Sequence, residues 1–162
     1  MASKKAKEVD PEAKLISLEY NSGNQDLKFK SAKFIFNSPK LKEEKSTHTS
    51  INIEVDKGMI TGARKILHRW IEGPNLKASP QDAFKVALKS GLGDFLSRYQ
   101  KVQIYMELKP YTNYNKFKLV KSEWIWQIMS IGPGMTEVFM VYLDGEALTV
   151  LRSKRKHLFS LN

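Results

Sequence analysis

Apolar and polar residues alternate in several short stretches of this chain, and one longer stretch is spaced in threes and fours. Ile51, Ile53 and Val55 alternate with Asn52, Glu54 and Asp56, the period of a half-buried strand. Val102, Ile104, Met106 and Leu108 repeat that pattern against Gln103, Tyr105 and Glu107 as far as Pro110. Residues 15–20 predict a first short strand, closed by the turn-forming Asn21-Ser22-Gly23-Asn24. Leu27, Phe29, Ala32, Phe34 and Phe36 supply a second, in which the apolar set changes parity near Ser31, as at a bulge or in a strand buried on both faces. Asn37-Ser38-Pro39 ends it, and residues 40–46 read as a charged loop. Residues 117–131 predict a strand with Trp124, Trp126 and Ile128 on one face, ended by Gly132-Pro133-Gly134. Residues 138–143 and 147–151 are joined by Asp144-Gly145, a two-residue hairpin signal.

From Asp56 to Tyr99 the rhythm is helical. Met59, Ile60, Ala63, Ile66, Leu67, Trp70 and Ile71 form one stripe, which predicts a helix over 59–71 capped by Asp56 and stopped by Gly73-Pro74-Asn75. Arg64, Lys65, His68 and Arg69 then share its opposite side. A second helix starts at Ser79 as cap, with Pro80 in the first turn and Asp82 closing a capping box. Phe84, Ala87 and Leu88 form its apolar side, Gly91 and Gly93 break it, and residues 94–99 add one or two turns. Strands, then helices, then strands predict a single α+β domain. Its antiparallel or mixed β-sheet would carry two to three helices, over about residues 57–99, packed on one face. A flexible basic N-terminal arm (1–14), the domain itself (15–151) and a basic C-terminal tail (152–162) complete the plan, and no internal repeat is evident.

Composition narrows the function classes. At 162 residues the chain is the size of one domain, and lysine and arginine outnumber acids 27 to 17, for a net charge of +10. Such an excess favours an anionic partner, either nucleic acid or a membrane surface. With no cysteine, disulfides, thiolate catalysis and cysteine zinc sites are excluded. The longest apolar run, residues 138–143, is far short of the ~20 residues of a spanning helix. The charged N-terminus lacks the apolar core of a secretory signal, so an intracellular, soluble protein is expected.

Catalytic and metal-binding patterns are sparse. His48, His68 and His157 fall on a predicted loop, the helix and the tail, with no metal-ligand spacing, and no serine sits in a nucleophile elbow. Gly58, Gly62, Arg64 and Lys65 miss the Walker spacing and its lysine. No cofactor or small-molecule substrate is expected. Cations are the more informative set. Lys4, Lys5 and Lys7 on the arm, and Arg64, Lys65, His68 and Arg69 on the helix, could meet phosphates or lipid headgroups. Lys116, Lys118 and Lys121 lie near Trp124 and Trp126, a combination able to stack bases. Arg152, Lys154, Arg155 and Lys156 resemble a nuclear import signal.

In plan the chain resembles a small rhabdovirus matrix protein of the plant-infecting type. The likeness lies in the basic arm, the lysine- and phenylalanine-rich strands (Lys28-Phe29-Lys30 and Lys33-Phe34-Ile35-Phe36), an amphipathic helix and further antiparallel strands. Asn75-Leu76-Lys77-Ala78-Ser79-Pro80 is similar to a stretch of vesiculovirus matrix proteins. No Pro-Pro-x-Tyr or Pro-Thr-Ala-Pro budding motif occurs, and the arm is shorter than in animal-virus relatives. The resemblance implies a structural protein that self-associates, condenses the viral nucleocapsid or RNA, and lies peripherally on an anionic membrane. It would be found in the virion and the host cytoplasm, with the nucleus open to it. A viral accessory nucleic-acid-binding protein, such as a silencing suppressor or movement-type protein, is the alternative, and an enzyme whose acids and histidines meet only in the fold is a third.

Overall fold

A computed structural model describes residues 1–22, 31–39, 47–57, 59–69, 79–99, 102–111 and 124–158. A helix α1 (Ala2–Val9) precedes four strands, β1 (Lys14–Ser22), β2 (Ser31–Asn37), β3 (Thr47–Asp56) and β4 (Met59–Arg69). A helical segment of 18 residues follows, made of α2 (Pro80–Ala87), a kinked turn (Leu88–Leu92) in which Ser90 and Gly91 leave helical geometry, Gly91 at φ 100°, and α3 (Gly93–Ser97). Among the described residues four more strands follow: β5 (Gln103–Pro110), β6 (Trp124–Ile131), β7 (Glu137–Asp144) and β8 (Val150–His157). All eight form one antiparallel sheet in the order β4-β3-β2-β1-β5-β6-β7-β8. Each half of the chain is thus a helix followed by a four-stranded meander, and the halves join through β1 and β5. The plan repeats although the sequence does not.

This architecture corrects the expected α+β domain with two to three helices over 57–99. The chain is mostly sheet, and residues 59–69 are strand β4, not a helix. Two local features explain the difference. Asp56 pairs with Met59, and Lys57 lies in the left-handed region at φ 47°, so Asp56 ends a strand where a helix cap was expected. Thr61 is then the extra residue of a bulge, because Val55 pairs with Ile60 and Glu54 with Gly62. The bulge brings Ile60 and Ala63, three residues apart, to the same face, which imitates a helical period.

The expected capping box is present. Ser79 Oγ accepts from the Asp82 amide at 3.2 Å, and an Asp82 carboxylate oxygen accepts from the Ser79 amide at 3.1 Å. The hairpin at Asp144-Gly145 also forms, with a longer loop than expected. The Asp144 carboxylate accepts from the Glu146 and Ala147 amides at 3.1 and 2.9 Å, and β8 begins at Val150. A Cβ at Gly145 would lie 2.6 Å from the Trp124 Cβ and 2.7 Å from its carbonyl oxygen, so only glycine fits this close approach. Residues 152–157, expected in a tail, are ladder-paired with β7.

Both helical segments lie on the same face of the sheet. Leu18, Leu108, Trp126 and Leu143 form one row across β1, β5, β6 and β7, and with Phe84, Leu92, Phe95 and Phe139 they build the larger core beneath α2 and α3. A smaller core lies under α1, where Ala2 and Ala6 rest on Phe36, Ile51 and Ile53. Residues 1–14, expected as a flexible arm, therefore begin with a docked helix. Eight residues are too few for an isolated helix to persist in water. Docking is secured beyond its C-terminus by buried Asp10, whose carboxylate accepts from the fully buried Ser38 hydroxyl at 2.6 Å and from the Glu12 amide at 2.9 Å. Among the described residues no helix is long and apolar enough to cross a membrane.

Asp10→Ala would leave the Ser38 hydroxyl buried without this acceptor, a loss of about 1–3 kcal/mol. Limited proteolysis should then cut the first 13 residues of the variant well before the sheet, while the parent resists. Equal cutting of both proteins would contradict a docked α1.

Candidate functional site

The sheet has one face covered by helices and one that no described helix covers. Register decides which residues belong to each. On the second, open face, Glu54, Lys33, Glu19, Glu107, Gln127, Tyr142 and Arg152 make a continuous row from β3 to β8. Beside it run Tyr105, Met129, Met140 and Lys154, then Gln103, Ile131, Val138 and Lys156. The charge along these rows is graded. Carboxylates on β1, β3 and β5 are interleaved with cations, with Lys33 directly across from Glu19, Arg64 3.0 Å from Glu54 and Lys109 2.6 Å from Glu107; uncharged side chains fill β6 and β7, and cations alone line β8. A groove of about 590 Å³ crosses the mixed-charge end, lined by Glu19, Lys33, Glu54, Tyr105, Glu107 and Met129 among others.

Along β8 the strand period divides the basic run. Arg152, Lys154 and Lys156 take alternate positions on the open face, about 7 Å apart. Among the described residues none of the three is paired with a carboxylate. Lys154 lies 5.8 Å from the centre of the Tyr142 ring. Burial, and then repulsion by Lys156 and Arg152, hold its ammonium below the usual lysine range. An anion laid along this row would relieve that repulsion.

Arg155 faces the other way and is occupied. It makes a forked contact with the buried Glu137 carboxylate, with Nε at 2.9 Å and Nη2 at 2.6 Å. The Tyr99 hydroxyl donates to the same carboxylate at 2.5 Å, and His157 Nδ1 lies 3.0 Å from it. The Tyr99 hydrogen bond, followed by the Arg155 contact, lowers the Glu137 carboxyl from its ordinary range, against an opposing effect of burial. Arg155 and His157 thus clamp β8 to β7, and Tyr99, two residues beyond α3, joins them through the same carboxylate. The run also lies within a ladder-paired strand, so presenting it as an extended import signal would require β8 to peel away.

The other predicted cations separate as well. Lys4, Lys5 and Lys7 are exposed on α1, with Lys5 2.7 Å from Glu8. The expected basic helix face does not exist. On β4, register puts positions 64 and 68 on the open face and positions 65 and 69 on the helix-covered face. Arg64 is 3.0 Å from Glu54, and Lys65 is exposed. His68 is the register partner of His48, a neighbourhood that sequence spacing could not reveal. Lys116, Lys118 and Lys121 lie outside the described residues. Trp124 and Trp126 are buried in the larger core, so neither is available to stack a base. Among the described residues no group of three or more His, Asp or Glu side chains could hold a metal ion.

Neither a protein-family model nor a curated protein sequence matches the chain. Among solved structures it is similar to a provisionally assigned lipoprotein from Clostridium difficile 630, with a TM-score of 0.54 and 14% identity, over 96% of this chain and 90% of that one. At that identity the likeness is one of fold alone.

Glu137 stabilises the fold only while ionised. Its carboxyl is lowered from the ordinary 4.5, so the contribution is complete above that value and is lost as pH falls through the folded-state value. Glu137→Gln should lower the melting temperature at neutral pH and flatten the acid branch of the stability curve below about pH 4.5. Parallel acid branches for the two proteins would contradict the clamp.

Proposed function

We propose that the chain is a matrix-type structural protein, which self-associates and bridges a ribonucleoprotein to an anionic membrane surface by contact, not by catalysis. The observation that supports this most is the uncompensated row Arg152, Lys154 and Lys156 on β8. A second basic surface, Lys4 and Lys7 on α1, stands over the opposite face of the sheet and near its other edge. Two cationic surfaces separated in this way let one molecule touch two anionic bodies at once. Each cation that neutralises a phosphate releases counterions, so both contacts weaken as salt rises. The accessory nucleic-acid reading loses its aromatic platform with the burial of Trp124 and Trp126, although it keeps the β8 row.

Flotation with phosphatidylserine-containing vesicles and single-stranded RNA tests this directly. The protein should carry RNA upward with the vesicles at ~50 mM salt and lose it by ~200 mM. Replacing Lys4, Lys5 and Lys7 with Ala, or Arg152, Lys154 and Lys156 with Ala, should each abolish the ternary complex and leave one binary complex. Salt-insensitive binding, or binding to neither probe, would refute the proposal.

A further inference from the structure

The two edges of the sheet are guarded differently. β4 is interrupted by the bulge at Thr61, and its Arg64 is held by Glu54 at 3.0 Å. β8 has neither device. Its ladder with β7 runs unbroken from Arg152 to His157, six consecutive residues without proline or glycine. Six of its eight residues are exposed, and no described strand pairs with its outer side. In an edge strand the N–H and C=O groups of every second residue point away from the sheet. None of those on β8 has a hydrogen bond to another described segment.

Charge is the remaining guard, and it is selective. Arg152, Lys154 and Lys156 stand on one face of β8 at intervals of ~7 Å, without a carboxylate partner among the described residues. Like charges directly opposite across a strand pair are destabilising, and opposite charges are stabilising. An antiparallel β8–β8 pair between two copies would set cation against cation. A β8–β4 pair would set the row against the other basic edge. The row therefore turns away the edges of further copies and admits a strand of opposite charge.

We propose that β8 accepts an extended acidic segment of a partner protein as a ninth strand, with alternate carboxylates facing Arg152, Lys154 and Lys156. This rests on the β8 row as an anionic contact in the function proposed above, and it assigns that contact to the protein part of a ribonucleoprotein. Backbone chemistry decides between a peptide and other polyanions. The edge presents donors and acceptors in alternation, and a peptide strand answers both. Phosphate groups, in RNA or in lipid, only accept, so the outward carbonyls of β8 would stay unanswered. Spacing agrees as well, because an acid at every second position of the incoming strand keeps step with all three cations. The Lys154 ammonium, held below the usual lysine range by burial and by its two basic neighbours, gains from a facing carboxylate. Arg155 takes no part, since Glu137 occupies it on the opposite face.

Fluorescence anisotropy at ~50 mM salt tests the inference with the peptide acetyl-Glu-Val-Glu-Val-Glu-Val-Glu-amide, tagged with a neutral dye. The parent should bind it. Arg152→Ala with Lys154→Ala and Lys156→Ala should weaken binding at least about tenfold, whereas Lys4→Ala with Lys5→Ala and Lys7→Ala should bind like the parent. A paired strand uses one of its two edges. N-methylation of one alternate set, the valines or the glutamates, should therefore abolish binding, and methylation of the other set should be tolerated. On the parent chain, bound peptide should slow amide exchange in β8 at least about tenfold and leave α2 unchanged, a readout that needs no variant to fold. No binding of the peptide, binding that survives both methylations, or slowed exchange confined to α1 would overturn the ninth strand. If RNA and vesicles still bind in a salt-dependent way when the peptide does not, this inference falls and the function proposed above stands. If none of the three binds, both fall.

Discussion

The antiparallel pairing of β1 with β5 is the interaction on which the other features depend. It joins two helix-and-meander halves into one sheet, and its register, with Leu18 opposite Leu108 and Glu19 opposite Glu107, sets which face each half presents. A slip of one residue would send Leu18 and Tyr20 to the open face and carboxylates into the core. Burial of Leu18, Leu108, Trp126 and Leu143 in one row makes that slip expensive, because each large apolar side chain contributes roughly 1.5–3 kcal/mol when fully buried. Both helical segments pack over this row and its neighbours, and the graded charge of the opposite face is a consequence of the same register.

Both ends of the sheet are basic. β4 carries Arg64, Lys65, His68 and Arg69, and β8 carries Arg152, Lys154, Arg155 and Lys156. Charged side chains, lysine above all, commonly blunt the unpaired edges of open sheets against edge-to-edge growth. That role accounts for the presence of cations on both edges. It does not account for three of them aligned on a single face of β8 without a carboxylate partner among the described residues.

Much of the sheet was legible in the sequence because half-buried strands must alternate. The alternation at 51–55 and 102–108 became β3 and β5, and the Ser79–Asp82 capping box marked the start of α2. Edge strands obey no such rule. β8 buries little, so its residues read as a charged tail, and the bulge at Thr61 gave β4 a spacing of three. The signal that could have corrected β4 is Asp56-Lys57-Gly58-Met59, a turn dipeptide followed by β-branched Ile60 and Thr61. The small helix α1 was hidden by its lysines, since two alanines suffice to dock it. The candidate cations were all visible as residues. Their roles were not, because pairing Arg155 with Glu137 or Arg64 with Glu54 depends on strand register.

The central claim is that the aligned β8 cations form the chain's anion-binding surface. Titrating a short single-stranded RNA into ¹⁵N-enriched protein at low salt should shift the amide signals around Arg152, Lys154 and Lys156 and leave those of α2 and α3 in place. Shifts centred on α2 and α3, or none along β8, would contradict the account.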